Sequence, residues 1–252
     1  MSSDTMHKID IILPFYKPAP GWGEHVRPKM AALKEHFNGR CQLFFHIVND
    51  GSALSYFPDE EFQAIRKDVP DLEFHSYPDN HGKGYCLRFG VRQCTCEYQV
   101  YTDNDFPFGW ESVAAVVEAL LDGADVVMGQ RGEDYAKALT LRRKIVSAGV
   151  RFMNRWIMGL PKEYLDAQAG VKGFNATGRR FFLATTTDSY LFDTEFIAMA
   201  CFARPKVKIS TVPVRLQPSV RFSNMGSNTL LRELKHFFRV LWRCRFHRQE
   251  IR

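Results

Sequence analysis

The feature that most restricts this chain is a repeated alternation of three pieces. A short apolar run of strand length ends in a polar cluster, and a segment with apolar residues three or four apart follows. Ile9-Asp10-Ile11-Ile12-Leu13 runs up to Pro14, and Leu43-Phe44-Phe45-His46-Ile47-Val48 runs into Asn49-Asp50-Gly51-Ser52. Such runs lack regular polar alternation and suit strands covered on both faces, as in a parallel sheet flanked by helices. Between them Met30, Leu33 and Phe37 mark a helix over residues 26–37, and Phe62 and Ile65 mark another over 60–67. The alternation continues with a strand at 72–77, a glycine-bearing loop at 80–84, a helix through Cys94 and a strand at 98–102. An acidic cluster, a helix at 111–121 and a strand at 125–129 follow. This order predicts an α/β, Rossmann-like doubly wound sheet with ligand-binding residues at the C-terminal ends of its strands. Beyond Arg131 the pattern is less regular: a longer helix at 141–158, a polar loop at 166–170, a strand at 171–174 and a helix near 194–203.

Composition narrows the class. With 252 residues, 45% hydrophobic and 25% charged, the chain can bury one sizeable core, which excludes disordered, collagen-like and disulfide-stapled proteins. The net charge of +6 is concentrated at the end, since residues 230–252 hold seven Lys or Arg against two acids. The near-neutral remainder argues against a nucleic-acid partner. No apolar run reaches the roughly 18 residues of a membrane span, and the first residues lack signal-peptide order, so a cytoplasmic location is expected. Cysteines at 41, 86, 94, 96, 201 and 244 include only one close pair, of C-x-C form. They read as reduced, mostly buried thiols. A globular domain over 1–228 followed by a basic helix over 229–252 is the expected organisation.

Asp103 and Asp105, two apart at a strand end, place both carboxylates on one face. A hard divalent cation suits such a pair, although D-x-D alone is most often a solvated turn. Asp50 beside Gly51 offers an acceptor for a base or ribose, and Lys83 between Gly82 and Gly84 sits at a helix start, where N–H groups favour an anion. The latter is not a P-loop, lacking its spacer and its Ser or Thr.

In this order VNDGS (48–52), NHGKG (80–84), YTDND (101–105), MGQR (128–131), LDAQAGVKGF (165–174) and LFDTEF (191–196) resemble glycosyltransferase family 2, of the GT-A fold. Over residues 9–234 the chain is most similar to the polyprenyl-phosphate sugar synthases. The resemblance implies one GT-A domain with a mostly parallel central sheet and a C-terminal amphipathic helix. It implies an inverting, metal-dependent transfer of a hexose from a nucleoside-diphosphate sugar to a polyprenyl phosphate, with Mg2+ or Mn2+ as cofactor. Pro14, Tyr16 and Asp50 would surround the base and ribose, Lys83 and Asp103 would lie close to the nucleotide, and Asp105, with Asp103, would hold the metal. Pro107 stands where the family often has a polar residue. Arg131 would face the diphosphate, and Arg142 and Arg143 the acceptor phosphate, on a helix shared with Ser147 and Asn154; guanidinium forks suit both groups. Asp166 and Gln168 would bind sugar hydroxyls, with Lys172 reading equally as a surface strand residue. Arg221-Phe222-Ser223-Asn224 corresponds to a polar loop over the site, without the family's Gly-Ser-Lys form.

Asp193 and Glu195 stand at a helix start. A hydroxyl acceptor needs a general base, which either would supply, whereas a phosphate acceptor is already an anion. Sugar orientation, or a helix cap for Asp193, are the other readings. Two further functions therefore stay open: transfer to a sugar hydroxyl in polysaccharide or lipid-linked glycan assembly, and a non-catalytic nucleotide-sugar-binding module. In the tail, Leu230, Leu231, Leu234, Phe237, Phe238, Leu241 and Trp242 follow helical spacing, with Arg232, Lys235, Arg239 and Arg243 filling the opposite face. Such a helix either docks on its own core or lies at a membrane surface. The closing basic run Arg243-Cys244-Arg245-Phe246-His247-Arg248 points to the membrane, with a separate membrane protein as a possible partner.

Overall fold

The structure is a computed structural model that describes residues 6–132, 135, 140–189, 191–218 and 236–244. Its centre is a seven-stranded sheet of β1 (His7–Phe15), β2 (Cys41–Asp50), β3 (Leu72–Tyr77), β4 (Tyr98–Thr102), β5 (Val126–Arg131), β6 (Val171–Phe174) and β7 (Ile209–Val214), in the order β3-β2-β1-β4-β6-β5-β7. β1 pairs in parallel with β2 and β4, β2 with β3, and β5 with β7. β6 runs antiparallel to both β4 and β5. The sheet is thus mostly parallel, as the uninterrupted apolar runs require.

Helices α1 (Trp22–His36), α2 (Asp59–Arg66) and α4 (Gly109–Leu121) cover one face, where Met30, Leu33, Phe37, Ile65, Val113 and Val117 join the inward residues of β1 and β2. The other face is covered by α3 (Lys83–Gln93), α6 (Ala176–Leu183), α7 (Phe192–Phe202) and α8 (236–244), with Leu87, Phe182, Phe196 and Phe237 in its core. Between β5 and β6 runs α5 (Leu141–Phe152), which passes into a π-helical turn at Met153–Met158.

Several boundaries differ from expectation for identifiable reasons. β1 continues through Pro14 to Phe15, because β4 pairs only as far as Ile12 and a proline is tolerated once one side of a strand is open. α1 starts a turn early at Trp22, whose ring packs edge-on against Phe15, Phe57 and Phe62. The helix expected over 141–158 loses α geometry after Phe152. Lys172, for which a surface strand position was one of two readings, is fully buried in β6. The six cysteines form no disulfide with one another, and four of them are buried.

The tail is corrected most. In α8, Phe237, Val240 and Cys244 are buried in the second core and Leu241 packs against it, so this stripe faces protein and not lipid. Phe238 and Trp242 remain exposed. The run Arg245 to Arg248, and the polar loop Arg221 to Asn224, lie outside the described residues. No helix among the described residues is long and apolar enough to cross a membrane.

Candidate active site

The site is built at the C-terminal ends of β1, β2, β4 and β5 and at the N-terminal end of the antiparallel β6. β2 ends at Asp50, and Gly51 follows at φ 70; a Cβ there would lie 2.2–2.7 Å from backbone atoms of Asp79 and Asn80. Glycine alone fits this crossing of two loops. Gly51→Ala should lower the unfolding free energy by about 2–4 kcal/mol, from overpacking plus the left-handed φ, as read by urea denaturation. Asp50 accepts from Tyr77 Oη at 2.7 Å and His81 N at 2.9 Å through Oδ1. Through Oδ2 it accepts from Asn80 Nδ2 at 2.7 Å and Gly82 N at 3.0 Å. Four donors fill its four acceptor positions. In this arrangement the Asp50 carboxylate, expected beside base and ribose, also shapes the loop that starts α3. Pro14 is half-buried within β1, and Tyr16, just past the strand, is 48% exposed with Lys17 over its ring.

That loop delivers Lys83 to the acids of β4. Its ammonium pairs with Asp103. Burial opposes the charge on Lys83, but Asp103, Asp193 and Asp105 outweigh it and hold the ammonium above the usual lysine range. The Asp103 carboxylate rests on Gly170, where any Cβ would meet its oxygen at 2.2 Å, so the 166–170 loop packs against the acid. Asp105 is exposed; the surrounding protein and then the neighbouring Asp103 raise its carboxyl above the usual range. Buried Phe106, at φ 49, anchors the turn, with its N–H on Asp103 O at 3.0 Å, and Lys29 donates to the Asp105 carbonyl at 2.6 Å. The Pro107 carbonyl accepts from Gln217 N at 2.8 Å. Two hard carboxylates side by side, one raised by its neighbour, are a donor set that fits a divalent oxygen-loving cation.

On the opposite side, Arg131 at the end of β5 grips Asp166. Its backbone N–H donates to Oδ2 at 2.8 Å, its Nε to both carboxylate oxygens at 2.9 Å, and its Nη2 to Oδ1. Its Nη1 reaches Tyr135 Oη at 2.9 Å. Asp166 is thus engaged by the guanidinium, while Gln168 is half-buried beside it. Arg131, Asp166 and Gln168 line a small opening with Ser147, Val150 and Arg151 of α5. Arg151, which sequence reasoning passed over, donates to Ser147 Oγ at 2.6 Å. Arg143 is half-buried on the same helix and does not line this opening; the Arg142 side chain is outside the described set. Asn154 is fully buried and donates to the Leu165 carbonyl at 3.2 Å, a structural bond.

The two acids of α7 separate clearly. Asp193 is buried; its Oδ1 meets Lys172 Nζ at 2.6 Å and accepts from Tyr101 Oη. Its Oδ2 takes no hydrogen bond among the described residues. Glu195, fully buried, accepts from Thr186 Oγ1 and Arg243 Nη1 through Oε1, and from the N–H groups of Thr186 and Thr187 through Oε2. Its acceptor positions are filled. Glu195, one of the two candidate bases, thus tethers α7, the 185–187 loop and α8. Buried Arg88 of α3 grips the same loop through Thr185 Oγ1 and the Thr187 carbonyl. Lys172, the missed site residue, also donates to the Ala169 carbonyl at 2.6 Å, and burial lowers its pKa. A lysine inside the short apolar strand Val171-Lys172-Gly173-Phe174 was the available signal.

The sequence matches no protein-family model and no curated protein. Solved structures do match. Glucosyl-3-phosphoglycerate synthase from Mycobacterium tuberculosis, in complex with Mn2+, UDP-glucose and phosphoglyceric acid, is 16% identical. That match has a TM-score of 0.59 and covers 94% of this chain and 80% of that one. Mannosyl-3-phosphoglycerate synthase from Rubrobacter xylanophilus is 16% identical, with a TM-score of 0.61 over 94% of this chain and 73% of that one. The fold is GT-A. At this identity the likeness is one of fold.

Proposed function

We propose that this chain is a metal-dependent, inverting hexosyltransferase that takes its sugar from a nucleoside diphosphate and delivers it to a polyprenyl phosphate at the cytoplasmic face of a membrane. The solved neighbours carry UDP with Mn2+ or Mg2+ and act on phosphoglycerate, which supports the donor and the metal for this chain. Asp105, with Asp103, would hold Mg2+ or Mn2+, which when bound neutralises charge on the departing diphosphate. Lys83 adds a cation beside it. Asp193, held by Lys172 and Tyr101, keeps Oδ2 for a sugar hydroxyl and so orients the hexose. An acceptor phosphate oxygen attacks the anomeric carbon from the face opposite the diphosphate, the bond to the diphosphate oxygen breaks, and configuration inverts. The phosphate is already an anion, so no general base is required, which agrees with the filled acceptor positions of Glu195.

The observation that carries the lipid acceptor is the outer face of α5 and its π turn. Leu141, Ile145, Phe152 and Trp156 are 59–75% exposed and fall on one helical stripe. Residues 140–162 contain Arg142, Arg143, Lys144, Arg151, Arg155 and Lys162 and not one acid. An exposed aliphatic and aromatic stripe edged with cations suits an anionic bilayer surface. The same helix lends Ser147, Val150 and Arg151 to the opening beside Asp166, so a lipid phosphate held at the membrane would lie next to the site. Ile145→Ser combined with Trp156→Ser should cut binding to anionic vesicles at least tenfold by co-sedimentation, while nucleotide-sugar binding by calorimetry is retained. Unchanged vesicle binding would remove the lipid reading.

A further inference from the structure

At one edge of the sheet, β1, β2 and β3 bring together a set of metal-ligating groups that the proposed transfer does not use. His46 of β2 lies beside Glu73 of β3 in register, with His75 one step further along the same face. His46 Nδ1 stands 3.0 Å from His75 Nε2 and 3.6 Å from Glu73 Oε2, and His75 Nε2 stands 3.4 Å from the same oxygen. A tetrahedral ion with ligand distances of about 2.0–2.2 Å has ligand atoms about 3.3–3.6 Å apart. The two separations to Glu73 Oε2 fall in that range and the two ring nitrogens stand about 0.3 Å closer than it, so a small parting of the imidazoles makes the three atoms one triangular face of such a shell. Behind them, His46 Nε2 meets Asp10 Oδ1 at 3.0 Å, and Asp10 Oδ2 accepts from Cys96 N at 2.9 Å. The tautomer that donates Nε2–H to Asp10 leaves the Nδ1 lone pair facing the trio, as in carboxylate–histidine–metal arrangements.

Burial is graded in the way an accessible site requires. His46 and Asp10 are buried, the His75 side chain is 16% exposed and that of Glu73 is 58% exposed. An ion can arrive from solvent and still rest on fixed ligands. The neighbouring trio of Asp10, His46 and Cys94 is buried throughout, and the Cys94 thiol is spent on the Gly90 carbonyl.

We propose that His46, His75 and Glu73 form a zinc-type site, with Asp10 as the residue that orients His46 and water or a further ligand in the fourth position. Two imidazoles and one carboxylate select a borderline first-row ion over magnesium. The site clamps the edge strand β3 to β2. The same two strands end at Tyr77 and Asp50, whose hydrogen bond shapes the loop before Lys83. From His46 to Asp50 is roughly 13 Å at about 3.3 Å per residue, so the ion acts on the stability of that edge and takes no part in the transfer.

Cobalt(II) added to the metal-free full-length chain tests the proposal without reference to sugar transfer. The expected result is one equivalent bound with intense tetrahedral visible bands that zinc displaces, and an unfolding temperature that rises with zinc. His75→Ala and Glu73→Gln, on the exposed edge, should remove or weaken those bands, and Asp10→Asn should weaken affinity about 10–100-fold. Only weak octahedral bands, or tetrahedral bands indifferent to His75→Ala and Glu73→Gln, would overturn it.

Discussion

Asp105→Asn should reduce nucleotide release from the sugar donor by about a thousandfold, with the fold intact. The change keeps shape and volume at an exposed position but removes the charge that, with Asp103, makes a hard cation site. Losing one preorganised electrostatic contact to a leaving group costs on the order of a hundred- to a thousandfold, and loss of the cation stands at the upper end. The carboxyl is already raised by its surroundings and by Asp103, so the acid is proton-loaded further up the pH scale than an ordinary aspartate. Cation binding should accordingly weaken as pH falls through that raised range, since the proton and the ion compete for one group. Steady-state release assays with Mn2+ and Mg2+, alongside circular dichroism, check both statements. Activity within tenfold of the parent would remove Asp105 from the chemistry.

Lys172→Met should lower the unfolding free energy by about 3–5 kcal/mol. Lys172 and Asp193 form a buried pair at 2.6 Å, with side chains 0% and 5% exposed. Removing one partner leaves the other charge in the interior without its counter-ion, which is where the cost arises. Methionine preserves most of the volume, so a cavity contributes little. Adding Asp193→Asn should recover much of the loss, because the stranded charge is then gone, and a double-mutant cycle by urea denaturation measures the coupling. Equal additive losses would mean that the pair does not act as a unit.

The positions of Asp50, Lys83, Asp103 and Asp105 were legible because the signal is local. Strand runs end in turn residues, and a doubly wound sheet brings those ends together. The short strand β6 was legible as a strand, but its antiparallel direction between β4 and β5 depends on long-range packing. The partners of Asp193 and Glu195 were hidden for the same reason: Tyr101 meets Asp193 across 92 positions, and Arg243 meets Glu195 across 48. The tail pattern showed an amphipathic helix correctly and misassigned its apolar face, since periodicity gives a stripe without saying what covers it. The stripe left exposed is on α5, where cations and apolar residues interleave without a single acid.

The central claim is transfer to a lipid phosphate, and the most direct measurement compares acceptors. Nucleotide release from uridine- and guanosine-diphosphate sugars is followed with Mn2+ or Mg2+, adding in turn a short polyprenyl phosphate in anionic vesicles, 3-phosphoglycerate, and a glycan hydroxyl acceptor. The account predicts release stimulated by the polyprenyl phosphate, with a sugar-labelled product that extracts into organic solvent. Stimulation by 3-phosphoglycerate or by the glycan, with none from the lipid, would contradict it.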